Sequence, residues 1–263
     1  MMSVDVKQLG VSIAEKPIVR GVDLHIGDGE RVGLIGSSGS GKSMISKAML
    51  GLLPTNATTE GSVILGDTQV IGANETVLAS LRGRYVGVVF QNPASSLNPV
   101  LTVGKQVELP LKLHYNLDKA DRQKRVSAMF EKVGLDEATA KKYPSELSGG
   151  QQQRVGIATA LITSPRLIIA DEPTTALDSI TQRQIVDLLV TLVDKAGASM
   201  LFITHDFSVL ARATTRCYVL DNGRIIESGT TADLLGNPQN EQTKKLVGAA
   251  RELTLQRKQD GDD

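Results

Sequence analysis

Eight consecutive residues, Gly36-Ser37-Ser38-Gly39-Ser40-Gly41-Lys42-Ser43, carry the first chemistry legible in this chain. Their spacing is G-x-x-x-x-G-K-[ST], the pattern of a loop that wraps phosphate. Glycines let the backbone curl until several N–H groups point inward at phosphate oxygens. A helix starting at the end of such a loop adds partial positive charge. Lys42 is expected to reach the β- and γ-phosphates, and the Ser43 hydroxyl suits one position on octahedral Mg²⁺. A nucleoside triphosphate is therefore the expected ligand. Gly39-Ser40-Gly41 also begins a dinucleotide fingerprint, but Met44 stands where its third glycine belongs, which excludes that reading.

A second constellation lies downstream. Leu167-Ile168-Ile169-Ala170 is apolar throughout and ends in Asp171-Glu172. A strand this apolar belongs in the centre of a parallel sheet. Two acids at an isolated strand end are commonly just solvated. In a chain with a phosphate loop, Asp171 is expected to hold Mg²⁺, and Glu172 to orient and deprotonate an attacking water. General-base help of this kind contributes about 10²–10⁴-fold in rate. His205 follows the apolar run Met200–Thr204, on the same sheet edge as the two acids. A lone histidine there is more often structural; here it is expected to contact the γ-phosphate and fix the water. His25 and His114 have no comparable context.

These residues need elements to hold them. Val4/Val6, Leu9/Val11/Ile13 and Leu24/Ile26 alternate with polar neighbours and predict short strands. Arg31–Ile35 reads as a buried strand feeding the glycine loop, with a helix from Lys42 to about Leu52, stopped by Gly51 and Pro54. Strand-like runs recur at 61–71 and 84–90. From 92 to 146 strand signals fade, and Asp118 caps a helix with Val126, Met129, Phe130 and Val133 on one face. This predicts a helical insertion. The β/α alternation then resumes, with strands at 167–170, 199–203, 217–220 and 224–227. The helix at about 179–195 carries Ile185, Leu188, Leu189 and Leu192 as its stripe.

Bulk properties narrow the function classes. The 263 residues suffice for a sizeable core, and 41% hydrophobic with 22% charged residues is ordinary for a globular chain. Lysine plus arginine and aspartate plus glutamate both number 29, so no net field favours nucleic acid. The single cysteine, Cys217, excludes an internal disulfide and sits in an apolar run, as a small buried hydrophobe does. No signal-peptide pattern opens the sequence, and no apolar run reaches the roughly 20 residues that span a bilayer. The expected location is the cytoplasmic face of the membrane, held there by partner subunits.

One segment separates the classes of phosphate-loop ATPase. Leu147-Ser148-Gly149-Gly150-Gln151 resembles the LSGGQ signature of ABC ATPases. The other family motifs stand in the family's order around it: the loop 36–43 and Gln91 (Q-loop) before it, and Asp171-Glu172, Ala176-Leu177-Asp178 (D-loop) and His205 (switch) after it. The resemblance runs from about residue 4 to 247. It implies an α/β P-loop NTPase with an ABC-type core: a mixed central sheet flanked by helices, an N-terminal antiparallel β-subdomain and a helical insertion. One ATPase domain would span residues 1–250, with a helical subdomain at about 92–160 and a disordered polar tail at 251–263. ATP and Mg²⁺ are the implied cofactors, and Ser43, Gln91 and Asp171 the implied metal contacts. Glu172, His205 and Gln91 carry catalysis in this reading. Gly36–Ser43, Leu147–Gln151 and Asp178 meet the nucleotide, the signature acting in trans on ATP held by a second ATPase subunit.

Finer resemblance concerns the cargo. Gln91-Asn92-Pro93-Ala94-Ser95-Ser96-Leu97-Asn98-Pro99 is similar to the Q-loop stretch of oligopeptide, dipeptide and nickel importers. Gly51–Pro54, Ile169–Asp178 and Phe202–Asp206 fit the same group. Partners implied are a second ATPase subunit (a different chain, with a homodimer as the alternative), two permease subunits and, indirectly, an extracytoplasmic solute-binding protein. Two departures stand out. Asn237-Pro238-Gln239-Asn240-Glu241-Gln242-Thr243 replaces the N-P-x-H-P-Y-T stretch of many peptide importers, and no clustered cysteines follow, which favours nickel or metal chelates. Ile13 occupies the position where the family usually stacks adenine on an aromatic ring. A DNA-repair or chromosome-organising ABC ATPase would need inserted heptads or zinc cysteines. A translation factor would carry two motif sets, and an exporter usually has fused membrane spans.

Overall fold

The computed structural model describes residues 4–175 and 177–259. Ala176 of the expected D-loop and residues 260–263 of the expected tail lie outside the described residues. In chain order the elements begin with β1 (Val4–Ile13), β2 (Lys16–Ile26), β3 (Arg31–Ile35), α1 (Lys42–Leu50), β4 (Ala57–Leu65) and β5 (Thr68–Gln69). Next come α2 (Glu75–Leu81), β6 (Val86–Val89), α3 (Pro93–Ser96), α4 (Val103–His114), α5 (Lys119–Lys132), α6 (Gly149–Leu161), β7 (Leu167–Asp171) and α7 (Ser179–Ala196). The chain closes with β8 (Ser199–Thr204), α8 (Phe207–Ala213), β9 (Arg216–Asp221), β10 (Arg224–Thr230), α9 (Thr231–Gly236) and α10 (Glu241–Gln259). Four strands form an antiparallel sheet of order β2-β1-β4-β5, and six form a mixed sheet of order β10-β9-β3-β8-β7-β6. This is the expected α/β class with its N-terminal antiparallel sheet.

Two compact units divide the chain: residues up to Gly72 together with those from Phe202 onward, and Ala73–Leu201. In the first unit, β1 and β2 turn through Ala14 (φ 47°) and Glu15 (φ 64°), and Ile13 pairs with Lys16. Two positive φ values in a two-residue loop match the twist of a hairpin. A bulge at Gln8 (φ 48°) inserts one residue, so Val4 and Val6 before it and Leu9 and Val11 after it are all buried. Gly61 (φ 81°) accommodates the bulge, since a Cβ there would collide with the carbonyls of Lys7 and Gln8.

β3 pairs in parallel with β9, Gly33 opposite Cys217 and Ile35 opposite Val219. Ile35, Phe207, Leu210, Cys217, Val219, Leu234 and Val247 pack into one cluster. Cys217 is fully buried there, and burial pushes its thiol up to about 12, which keeps it an inert hydrophobe. α10 extends to Gln259 where a disordered tail from 251 was expected. Its sequence from Arg251 is rich in strong helix formers (Glu, Leu, Gln, Arg, Lys), so polarity alone did not end the helix.

In the second unit, β6 and β7 run parallel, Val86 beside Leu167 and Val89 beside Ala170. α6 crosses β6 closely enough that a Cβ on Gly87 would strike the Ala160 carbonyl. α5 is capped by Asp118, whose carboxylate accepts from Asp121 N at 2.8 Å, and it buries Val126, Met129 and Phe130 as its spacing predicts. α7 buries Ile185, Val186, Leu189, Leu192 and Val193. Leu188, expected in that stripe, is half-buried, and Val186 and Val193 widen the face instead. A buried Gln106 on α4 accepts from Asn98 N at 2.8 Å and donates to the carbonyls of Asn98 and Leu101, both at 2.9 Å. That one side chain pins the segment after α3.

Candidate active site

The first unit holds the phosphate loop and His205. β3 ends at Ile35 and delivers Gly36 against β9, where a Cβ would collide with the Leu220 carbonyl and lie 2.8 Å from Ser40 Oγ. Only glycine fits. Gly39 (φ 78°) and Gly41 (φ 109°) take left-handed backbone that lets the chain reverse into α1. Gly41 caps α1, and Met44 N and Ile45 N bond its carbonyl at 3.0 and 3.2 Å. The loop is supported from outside by the β9–β10 turn: Gly223 N donates to Ser40 O at 3.0 Å, and Arg20 N donates to Gly223 O at 2.8 Å.

Lys42 is buried, and its Nζ donates to Gly36 O at 2.8 Å and Ser37 O at 2.9 Å. The ammonium is thus folded back over its own loop, where it concentrates positive charge beside the N-terminus of α1. No acidic residue occupies the first turn of that helix. Ser40 Oγ is buried without a hydrogen-bond partner. An orphaned hydroxyl among these groups suits the oxygen-rich surface of a phosphate. His205 lies exposed between β8 and α8, next to Asp206, which caps α8 by accepting from Ser208 N at 2.8 Å. Ile13, expected near the base, is half-buried at the end of β1.

The second unit holds Gln91, the Leu147–Gln151 segment, Asp171, Glu172 and Asp178. Gln91 follows β6, and Glu172 follows β7 in a left-handed conformation (φ 46°). Gln91 Nε2 donates to Glu172 Oε2 at 3.0 Å, and Thr175 Oγ1 donates to the same oxygen at 3.1 Å. Two of the expected catalytic residues therefore meet directly. Thr175 is a participant that sequence reasoning missed. Its signal was local, a threonine three residues past the acid, where its hydroxyl can turn back onto the chain.

Ser148 caps α6. Gln151 N donates to Ser148 Oγ at 3.3 Å, and Ser148 N donates to Gln151 Oε1 at 3.0 Å, a reciprocal capping box. Gly149 and Gly150 form the first positions of this helix, where N–H groups have no intrahelical acceptor. Gly150 is required sterically: a Cβ there would lie 2.9 Å from Thr181 Cγ2 on α7. Leu147 is buried and anchors the turn. The result is a slim helix N-terminus fit for an anion. Asp178 caps α7, accepting from Thr181 N at 2.9 Å and Ile180 N at 3.1 Å. Hydrogen bonds from Thr181 hold its carboxyl below the usual carboxylate range.

The ABC transporter family model matches residues 19–175. The oligopeptide transport ATP-binding protein AppD of Bacillus subtilis is 42% identical over 235 residues, covering 88% of this chain and 72% of that protein. OppD of the same organism, also an oligopeptide transport ATP-binding protein, is 38% identical over 253 residues, covering 93% and 71%. Among solved structures, the ATP-binding cassette MJ0796, as a post-hydrolysis dimer bound to ADP and Pi, is 34% identical with a TM-score of 0.77, covering 87% of this chain and 98% of that one. CbiO1 of Clostridium perfringens, part of the ABC transporter complex CbiONQ, is 26% identical with a TM-score of 0.78, covering 89% and 90%.

Proposed function

This chain belongs to the ABC transporter family as an ATP-binding, ATP-hydrolysing subunit, and from that premise we propose that it powers the import of peptides. The names of AppD and OppD favour peptides over the nickel or metal chelates that the Asn237–Thr243 stretch suggested. No helix among the described residues is long and apolar enough to cross a membrane. Transport then needs permease subunits, which would hold this chain at the cytoplasmic face, and an extracytoplasmic binding protein that selects the solute.

The observation that carries the chemistry is the Glu172 carboxylate held by Gln91 and Thr175 at the end of β7. In this reading Lys42 exchanges its contacts with Gly36 O and Ser37 O for β- and γ-phosphate oxygens of ATP. Glu172 accepts the proton of the attacking water, which Gln91 holds in line, and His205 contacts the γ-phosphate beside the phosphate loop. Ser43, Asp171 and Gln91 offer hard oxygen donors of the kind Mg²⁺ takes, and the ion would neutralise charge on the transferred phosphate. Among the described residues no cluster of three or more His, Cys, Asp or Glu forms a metal centre by itself. The capped N-terminus of α6 would serve ATP bound to a second ATPase subunit, with Asp178 beside it, so one chain supplies two half-sites.

The test is Glu172→Gln in the assembled transporter. Hydrolysis should fall by at least about 10²-fold while ATP binding persists. Near-normal turnover would remove Glu172 as the base. Stimulation of the wild-type ATPase by a nickel-chelate-loaded binding protein, and not by a peptide-loaded one, would overturn the peptide assignment.

A further inference from the structure

We propose that Thr175 is a positioning residue for the catalytic carboxylate, a role that rests on the reading of Glu172 as the base. Three contacts converge. Thr175 Oγ1 lies 3.1 Å from Glu172 Oε2 and 3.4 Å from Glu172 O, and Thr175 N donates to Glu172 O at 3.4 Å. A hydroxyl has one proton, so it is directed to the nearer and more negative acceptor, the carboxylate. Gln91 Nε2 approaches that same oxygen at 3.0 Å. Two donors on Oε2 fix the rotation of the carboxylate and therefore the direction in which Oε1 faces.

The backbone explains why the acid needs this support. Glu172 has φ 46°, a left-handed conformation uncommon outside glycine, asparagine and aspartate. Its side chain is only half-buried, so packing alone does not orient it. Thr175 closes the turn and reaches both the backbone and the side chain of Glu172. The same short segment continues to Leu177, whose N–H bonds Thr174 O at 3.1 Å, and to Asp178 at the cap of α7. Thr175 thus ties the base to the helix start that the rest of the segment builds.

The alternative is that the hydroxyl merely closes a local turn. Valine keeps the β-branched shape and removes the donor; serine keeps the donor and removes the methyl group. In the assembled transporter, Thr175→Val should lower kcat about tenfold with KM for ATP within about twofold, the expected loss of one hydrogen bond to a carboxylate. Thr175→Ser should restore kcat to within about twofold of wild type. Thr175→Ala provides a second donor-free variant should Thr175→Val fold poorly, as judged by its melting temperature. Wild-type kcat in the donor-free variants, equal losses in Ser and Val, or a KM change matching the kcat change would each overturn the proposal. Glu172→Gln assayed alongside separates the two claims. If it is inactive and Thr175→Val is normal, only Thr175 loses its role; if it hydrolyses ATP normally, the base assignment fails first.

Discussion

Around Gly36–Ser43 the groups that would meet an anion come mostly from the backbone, whereas around Glu172 they are side chains. The phosphate loop depends on the absence of Cβ atoms at Gly36 and on left-handed φ at Gly39 and Gly41. Its single long side chain, Lys42, bonds carbonyls of the same loop. The carboxylate end instead depends on two side-chain groups, an amide and a hydroxyl, meeting one oxygen. A backbone device binds any anion of the right shape and tolerates no added volume. A side-chain device tolerates volume but loses its chemistry one hydrogen bond at a time. Substitutions in the first region should therefore remove binding, and those in the second should remove turnover.

The largest effect expected from this contrast is at Gly36. Gly36→Ala adds one methyl group against the Leu220 carbonyl on β9, a backbone atom that cannot rotate away, and against Ser40 Oγ. The loop must move, and displacement of about 1 Å in a positioned site costs roughly 100-fold. ATP affinity, measured by titration of a fluorescent analogue, should fall by about that factor. A far-UV spectrum like that of wild type would show the damage to be local. Affinity within twofold of wild type would break the contrast at its first term.

Gln91→Ala probes the other side. ATP affinity should stay within about threefold, while kcat falls at least about tenfold, because Glu172 Oε2 loses the Gln91 donor and the water loses the residue proposed to hold it. Combined with Thr175→Val, the losses should not add, since both residues serve the same oxygen. Additive losses would mean that the two side chains act on separate steps.

The same difference of materials explains what was legible in the sequence. Gly36–Ser43 could be read directly because backbone geometry leaves a fixed spacing of glycines, and β3 and α1 flank it as expected. Leu147–Gln151 was legible only through its resemblance to a family signature; the capping box and the crowded helix start became visible in the structure. Glu172 was legible from the apolar strand before it. Its tether to Thr175 was only half legible: a threonine three residues past the acid is a local signal, but the contact also depends on the left-handed φ of Glu172, which no residue type announces. Gln106, which pins the segment after α3, was hidden too: a buried glutamine in a helix pattern looks like an exposed one. At Gln8 the alternation changes phase, which read as a break between two short strands, whereas the structure carries β1 through it as a bulge.

The smallest effect separates the scaffold from both devices. Arg216 on β9 donates from Nε to Glu30 Oε1 at 2.7 Å and from Nη2 to Glu30 Oε2 at 2.9 Å, and its guanidinium lies 5.1 Å from the Tyr218 ring centre. Nη2 also donates to His25 O at 2.8 Å, so the pair ties β2 to the start of the β3–β9 register. Hydrogen bonds from Arg216 hold the Glu30 carboxyl below the usual carboxylate range. A depressed folded pKa means that the folded state favours the ionised acid. Its contribution is therefore complete above the unfolded value of about 4.3 and fades as pH falls through the folded one. Both side chains are about a quarter exposed, so the pair is screened and its contribution is small. Glu30→Gln should lower the melting temperature by about 2 °C at neutral pH. That gap should close as the pH falls below the unfolded value and on through the lowered folded one, where wild type loses the same interaction by protonation. ATP affinity and kcat should be unchanged at 25 °C, because the pair supports strands and meets neither phosphate nor water. A loss of affinity with intact stability would instead make Arg216 and Glu30 part of the phosphate-binding device.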